Sequence, residues 1–489
     1  MLAELARPKS FWGLEAPAEY YVSASAGNDN AGGTSQQFAW ATLARASKRT
    51  YIPGDSLLLE AGVAHTGQFL PRGGGTFDDA AFDTAFASAH ASGKAAALAS
   101  APGLQLVADA QTAGQTAPQA AAWADIWASQ IALPAAQDTA WTAAQSGTLW
   151  VTVGRYGSGA NPILDGGGSV ASAIYFPMLT TQGAWRFRDL EIRNYTAGGI
   201  FYYPKSHTTV TDELYRGATN GFWAHDLNIH DVALAGLPDA NPANNIPGYV
   251  SFVATGIVAF GVNYVRVEDT IFDDTDLPFY IGFGQYQRLE QITSPHSHWQ
   301  HAELSAGYRV AMTNSSFLDQ CNLGYHHGTA GFFSGHMNQY LCQGCTFSDT
   351  TRPISPINGL QAPDGVGYDL ETRHKHAVFD QNTLENNCAS AWELLNSYAL
   401  GPVGGGSAEN LWTRNIMNGN GFDNVVRSNV AIMFVQPNPA QGTALWWANV
   451  TDYVAPGVNR WIQQGSSVNV IPGTAAGTPW IYGADNTET

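Results

Sequence analysis

The sequence predicts an all-β solenoid built from stacked rungs. Three observations carry that prediction: a two-strand phrase that recurs along the chain, a scarcity of charge, and an abundance of glycine. The phrase first reads Trp185-Arg-Phe-Arg-Asp-Leu-Glu-Ile-Arg-Asn and returns from Gly221, Tyr264, Tyr308, Tyr340, Ala377 and Leu411. Each copy is a short alternating strand, a polar pair, a second short strand and then Asn, Asp or Gly. Alternation of period two gives each strand one buried face. The polar pair is too short for a helix and fits a bend between neighbouring faces of a solenoid. No single unit can bury its face alone, so the units must stack. Only 13% of the 489 residues are charged, about half the roughly 25% of ordinary globular proteins. That suits stacked rungs, where a charge repeated at every level would repel its neighbours.

Composition also excludes function classes. There are 40 acidic and 22 basic residues, for a formal net charge of −18. No basic surplus exists to neutralise nucleic-acid phosphates or to hold an anionic membrane surface. With no apolar run of about 18 residues, membrane insertion is not expected. Aromatic content of 12% speaks against disorder. The start, Met1-Leu-Ala-Glu-Leu-Ala-Arg-Pro-Lys, carries Glu4 early and lacks an apolar core, so it does not read as a signal peptide. The expected address is extracellular with a signal removed, or virion-associated.

The repeated rungs resemble those of the right-handed parallel β-helix in the pectate-lyase-like superfamily, which includes polysaccharide-degrading enzymes and phage tailspike depolymerases. The entry segment from Tyr20 through Gly33, the stretch Pro53-Gly-Asp-Ser-Leu-Leu-Leu, and the segment from Val151 through Gly167 share the likeness. The resemblance spans roughly residues 19–75 and 148–435 and implies that fold. Residues 1–18 then form an N-terminal extension, 19–435 the β-helix domain and 436–489 an irregular C-terminal cap. Residues 76–147 break the pattern: they are Ala-rich, and Trp123, Ile126, Trp127 and Ile131 follow helical spacing. They are expected to form a helical insertion packed on the solenoid, with sugar stacking as the competing role for its Trp residues.

A stacking register turns the strands into a surface. If Ile200, Ile257, Phe279, Tyr325, Tyr368 and Trp392 point inward, then Phe201, Val258, Tyr280, His326, Asp369 and Glu393 form an outward column. Stacked strands lie about 4.8 Å apart. Asp369, Glu371 and Glu393 then make a carboxylate patch, with Asp364 in the preceding loop. Charge is scarce in this chain, yet Asp364-Gly-Val-Gly-Tyr-Asp-Leu-Glu holds three acids within one short run. Crowded carboxylates favour one protonated member. A protonated acid beside an ionised one is what glycoside hydrolysis needs. Asp369 and Glu393 are therefore the candidate acid and nucleophile or base, with Asp364 and Glu371 as alternates. His326, His327, Tyr280, Trp299 and Arg373 are candidates for orienting the sugar, and Trp392 is more consistent with the core.

Bland readings stand beside these. Acids on a solenoid surface can be merely solvated, or can hold calcium, although no cofactor is required by the reading. Uronate elimination by Tyr280 and a histidine is the enzymatic competitor. The negative charge of the chain disfavours a polyanionic substrate. The expected partner is a polysaccharide, as substrate or as receptor. In the second case the molecule would be a non-catalytic tail or head spike, and a homotrimer would follow from the tailspike likeness. Asp273, Asp274 and Asp276 form an acidic loop, read as a solvated turn with a calcium site as the alternative, and His296, His298 and His301 a histidine cluster, read as loop polarity with a single bound metal as the alternative. Cys321, Cys342, Cys345 and Cys388 read as small core side chains, and no structural metal is expected from them.

Overall fold

The computed structural model describes residues 16–112, 114–176, 183–203, 217–233, 254–299, 302–319, 321, 330–354, 365–371, 374–395, 410–420 and 432–435, with short strand segments at 444–447, 450–451, 463–464, 467–468, 481–484 and 487–488. From Glu19–Val22 onward its strands stack in parallel, those within the stack pairing with the strand one rung before and one rung after, and one antiparallel pair joins Gln463–Gln464 to Ser467–Val468. Leu57, Val153, Phe187, Ala224, Val267 and Leu289 occupy successive levels of a single inward column. The column continues through Met312, Cys342, Phe379 and Trp412. All ten side chains are buried and belong to one contiguous core. Like side chains stack at strand spacing, as with Phe379 on Trp412 at 5.1 Å between ring centroids, inside the range favoured by aromatic pairs. The result is a right-handed parallel β-helix.

The polar pair of each phrase is the corner. At the corner after the main strand, Asp189, Asp226, Asp269, Gln291, Asn314, Gln381 and Arg414 all have φ between 45° and 57°, and Gly344 has 64°. One left-handed residue at this corner of each rung turns the chain sharply onto the next face. Asp, Asn and Gly adopt that conformation at least cost, which explains why those residues recur there.

Inside the corners run amide ladders. Asn382 Oδ1 accepts from the Cys345 backbone N–H at 3.0 Å, and its Nδ2 donates to Cys342 O at 3.0 Å and to Asn415 Oδ1 at 3.0 Å. Asn387 and Asn420 repeat the arrangement at the next corner. These buried side chains satisfy backbone groups that the turns remove from the strand ladder.

Helices Asp79–Ala99, Ala101–Thr112, Ala117–Ile131 and Leu133–Gln145 lie between the strands Ala64–Thr66 and Val151–Tyr156. Thr116 and Gln119 close a capping box at the start of the third helix. The lobe packs on the outer face that carries Ala311, Leu341, Val378 and Leu411. Phe82 and Phe86 pack edge-on against Tyr286, at 5.0 and 4.9 Å. Asp138 pairs with Arg266 at 2.9 Å. Trp123 and Trp127 are buried within this contact, so both belong to packing and neither is presented to a sugar. Among the described residues no helix is long and apolar enough to cross a membrane.

Stacking continues past residue 435, where the rungs were expected to end. Ala444–Trp447 pairs in parallel with Asn410–Thr413, and Ile481–Ala484 pairs with Ala444–Trp447 in turn. The remainder of 436–489 and residues 1–15 lie outside the described residues. All four cysteines are buried thiols, none of them in a disulfide.

Candidate functional site

One outer face carries three of the candidate residues, Tyr280, Asp369 and Glu393. Its column runs Tyr175, Phe201, Val258, Tyr280, Glu303, Phe333, Asp369, Glu393 and Met433, each the direct partner of the next. Alternation decides the direction: Phe279, Phe332, Tyr368 and Trp392, the residues just before, lie in the solenoid core.

Asp369 and Glu393 are thus opposite each other on adjacent strands, Tyr368–Glu371 and Trp392–Leu395. Both are buried, at 8% and 2% exposure. The strand that carries Asp369 is held from within. Tyr368 stacks on Phe332 at 4.9 Å and lies 5.1 Å from Trp392. Its hydroxyl donates to Ser334 Oγ at 3.1 Å and lies 2.8 Å from the Tyr340 hydroxyl. Ser334 Oγ in turn meets His374 Nε2 at 2.9 Å. Burial pushes the Tyr340 and Tyr368 hydroxyls well above their ordinary pKa, so these two phenols stay neutral beneath the carboxylates. The glycines before Asp369 serve close approach. Gly365 has φ of 81°, and a methyl there would sit 2.3 Å from Cys388 Sγ and from Arg352 Cγ.

The expected column needs one correction. His326 was assigned the level between Tyr280 and Asp369, yet two levels lie there, filled by Glu303 and Phe333. The strand Ala302–Thr313 begins Ala-Glu-Leu-Ser, with no glycine or proline at its start, and the strand Phe332–Gly335 follows Gly331 in a pattern that resembles the start of Gly324-Tyr-His-His. Glu303 is half-buried and accepts a hydrogen bond from Ser305 Oγ at 3.1 Å. Its signal in the sequence is the alternation of Glu303 and Ser305 against Leu304. His326, His327, Asp364 and Arg373 lie outside the described residues. Glu371 takes the level between Gly335 and Leu395 in the next column.

Tyr280, expected to orient a sugar, is 3% exposed and packs against Phe260 at 5.2 Å. With Phe201, Val258 and Leu277 it forms an apolar cluster, against which the half-buried Trp299 packs. Trp392 is core. The face therefore divides along the axis into an aromatic half and a carboxylate half.

The molecule is a right-handed parallel β-helix protein. No family model matches the sequence, and no curated protein does. Solved structures do match. A GH136 lacto-N-biosidase from Eubacterium ramulus superposes with a TM-score of 0.50 at 13% identity, over 96% of this chain and 68% of that one. A mannuronan C-5 epimerase A-module from Azotobacter vinelandii gives 0.40 at 15% identity, over 74% of this chain and 95% of that one. An alginate lyase from Paenibacillus gives 0.37 at 12% identity, over 92% and 99%. At these identities the likeness is one of fold.

Proposed function

We propose that the protein binds an extracellular or cell-surface polysaccharide along this face and cleaves it by glycoside hydrolysis. The observation that carries the reading is the direct pairing of Asp369 with Glu393 on adjacent rungs. Strands about 4.8 Å apart set two such carboxyl groups near the roughly 5–5.5 Å of a retaining glycosidase, short of the roughly 6.5–9.5 Å that leaves room for an inverting water. One carboxyl group protonates the leaving oxygen, and the other attacks the anomeric carbon. Water then releases the product with the first group acting as base. Two features favour hydrolysis over uronate elimination. The net charge of −18 disfavours a polyanion, and Tyr280, the base that elimination would use, is packed among aromatics.

The test is incubation with bacterial and plant polysaccharides, following new reducing ends together with ultraviolet absorbance of unsaturated uronate. Reducing ends without absorbance support hydrolysis; both together identify a lyase.

A non-catalytic, virion-associated spike is the second reading. It is favoured by the flat outer column Ile271, Thr293, Ser316, Thr346, Thr383 and Ile416, in which Ile271 and Ile416 are 46% and 41% exposed. Such a face suits side-by-side association in a homotrimer. Glycan binding with no product, by a trimer in light scattering, would establish this reading over hydrolysis.

A further inference from the structure

Two sequence motifs that look unrelated meet at one corner of the solenoid. The acidic loop Asp273-Asp-Thr-Asp276 ends one rung, and the loop His296-Ser-His298 ends the next, joined by a bridge between Thr275 and Ser297. Ligand atoms of Asp273, Asp274 and His296 all lie within 4.8 Å of one another. His296 Nδ1 is 2.7 Å from Asp273 Oδ1, and its Nε2 is 4.0 Å from Asp319 Oδ2. The second imidazole lies at the edge of this group: His298 Nε2 is 3.9 Å from Asp274 Oδ1.

We propose that this corner binds a divalent transition-metal ion of the zinc(II) type, through His296, His298, Asp273 and Asp274. Two arguments lead there. The first is donor chemistry. Paired imidazoles with carboxylates suit zinc and its first-row neighbours, whereas calcium takes oxygen ligands alone. Ligands of a tetrahedral ion at bonds of about 2.1 Å lie about 3.4 Å from one another, so the Asp273, Asp274 and His296 atoms close on an ion with small side-chain movements, and His298 Nε2, 3.9 Å from Asp274 Oδ1, completes the set.

The second argument is orientation from outside the ligand set. Asp276 is fully buried and meets His298 Nδ1 at 3.0 Å, while its other oxygen accepts from the Ala254 backbone N–H at 3.1 Å. Asp276 thereby fixes the ring so that Nε2 is the nitrogen turned toward Asp274. A carboxylate held on the far nitrogen of a ligating histidine is the usual outer partner of metal sites, since it sets both tautomer and ring direction. A solvated acidic turn has no need of a buried aspartate aiming a histidine at it. The ion would clip the loop carrying Trp299, whose backbone N–H donates to Asp276 O at 3.1 Å, to the rung below. Its role is then to fix the edge of the aromatic half of the face.

The experiment uses the full chain, stripped with a chelator and titrated with Co²⁺ alone. The expected result is one equivalent bound, with visible ligand-field bands that Zn²⁺ abolishes and a large excess of Ca²⁺ leaves in place. The thermal midpoint should rise with added Zn²⁺, as binding to the native state alone requires. His296→Gln, at an exposed position, should weaken Co²⁺ binding at least about tenfold with the circular dichroism spectrum unchanged. Asp276→Asn, which leaves every ligand in place, should weaken it by about 10–100-fold. The proposal is overturned by absence of the bands, by displacement with Ca²⁺, or by wild-type affinity in a folded His296→Gln protein.

Discussion

Asp369 and Glu393 face each other across one strand spacing, on the outer side of rungs whose inner side is locked by Tyr368 and Trp392. Their relationship is set by the solenoid itself. Any shift of one of these strands relative to the other would require the two aromatic rings beneath them to slide in the core. Fixing two groups to within a fraction of an ångström on rigid strands is what a catalytic pair needs, and flexible loops do this less well.

The spacing makes a stereochemical prediction. With the pair on adjacent rungs, cleavage should proceed through a glycosyl-enzyme intermediate on one carboxylate and retain the anomeric configuration. Proton NMR of the product in the first minutes, before mutarotation, should show the anomer of the substrate linkage. An inverted first product would place the water-activating base farther away, with Glu303 the group to examine next.

The amide ladders make a stability prediction. Asn382→Ala removes the acceptor for Cys345 N–H and the donors to Cys342 O and Asn415 Oδ1. Each buried group so orphaned costs about 1–3 kcal/mol. Denaturant unfolding should show a loss of at least about 2 kcal/mol. Substitution of the exposed Ile416, one residue beyond Asn415 on the same turn, should change it by less than about 0.5 kcal/mol.

A further prediction separates packing from sugar stacking in the helical lobe. Trp127 is buried, 2% exposed, with the Arg414 guanidinium 5.7 Å from its ring. Trp127→Ala should cost about 3–5 kcal/mol, the usual penalty for emptying a core aromatic site. Glycan affinity measured well below the lowered melting temperature should be unchanged. A selective loss of affinity with stability intact would make the tryptophan a sugar platform.

Acid should weaken the first rungs in two stages. Burial holds the His65 imidazole below its ordinary 6.5, so the unfolded chain takes up the proton first. The stability that His65 contributes is therefore complete above about 6.5 and is lost as pH falls toward the folded value. Glu60 accepts from Ser23 Oγ at 2.6 Å and Ser25 Oγ at 2.7 Å, which holds its carboxyl below 4.5. Its contribution is present above that value and is lost as pH falls through the lowered one. The thermal midpoint should fall from about pH 7 downward, with a second drop in the carboxylate range. His65→Gln should flatten the upper stage, and Glu60→Gln the lower.

Much of the fold is legible in the chain, because stacking forces the same residue types into the same positions. The inward aromatics Tyr368 and Trp392 revealed which neighbours point outward, and that placed Asp369 and Glu393 on one column. The strand bearing Glu303 is hard to see in sequence because nothing before Ala302 marks a strand start, and the Phe333 level is hard to see because Gly324-Tyr-His-His carries the same glycine-led pattern as Gly331-Phe-Phe-Ser. The Asn382 and Asn387 ladders look like ordinary turn residues in sequence. Only the stack shows that their amides face inward and bond to the rung below. The meeting of Asp273 and Asp274 with His296 was invisible for a related reason: separation along the chain says nothing about which corners coincide until the rungs are counted correctly.

The most direct test is cleavage by single variants of the paired carboxylates. Asp369→Asn and Glu393→Gln keep side-chain shape while removing the acid and the nucleophile. Each should reduce the release of reducing ends by at least about 100-fold, with melting temperature and glycan binding close to wild type. Full activity in either folded variant would contradict the assignment of catalysis to this pair.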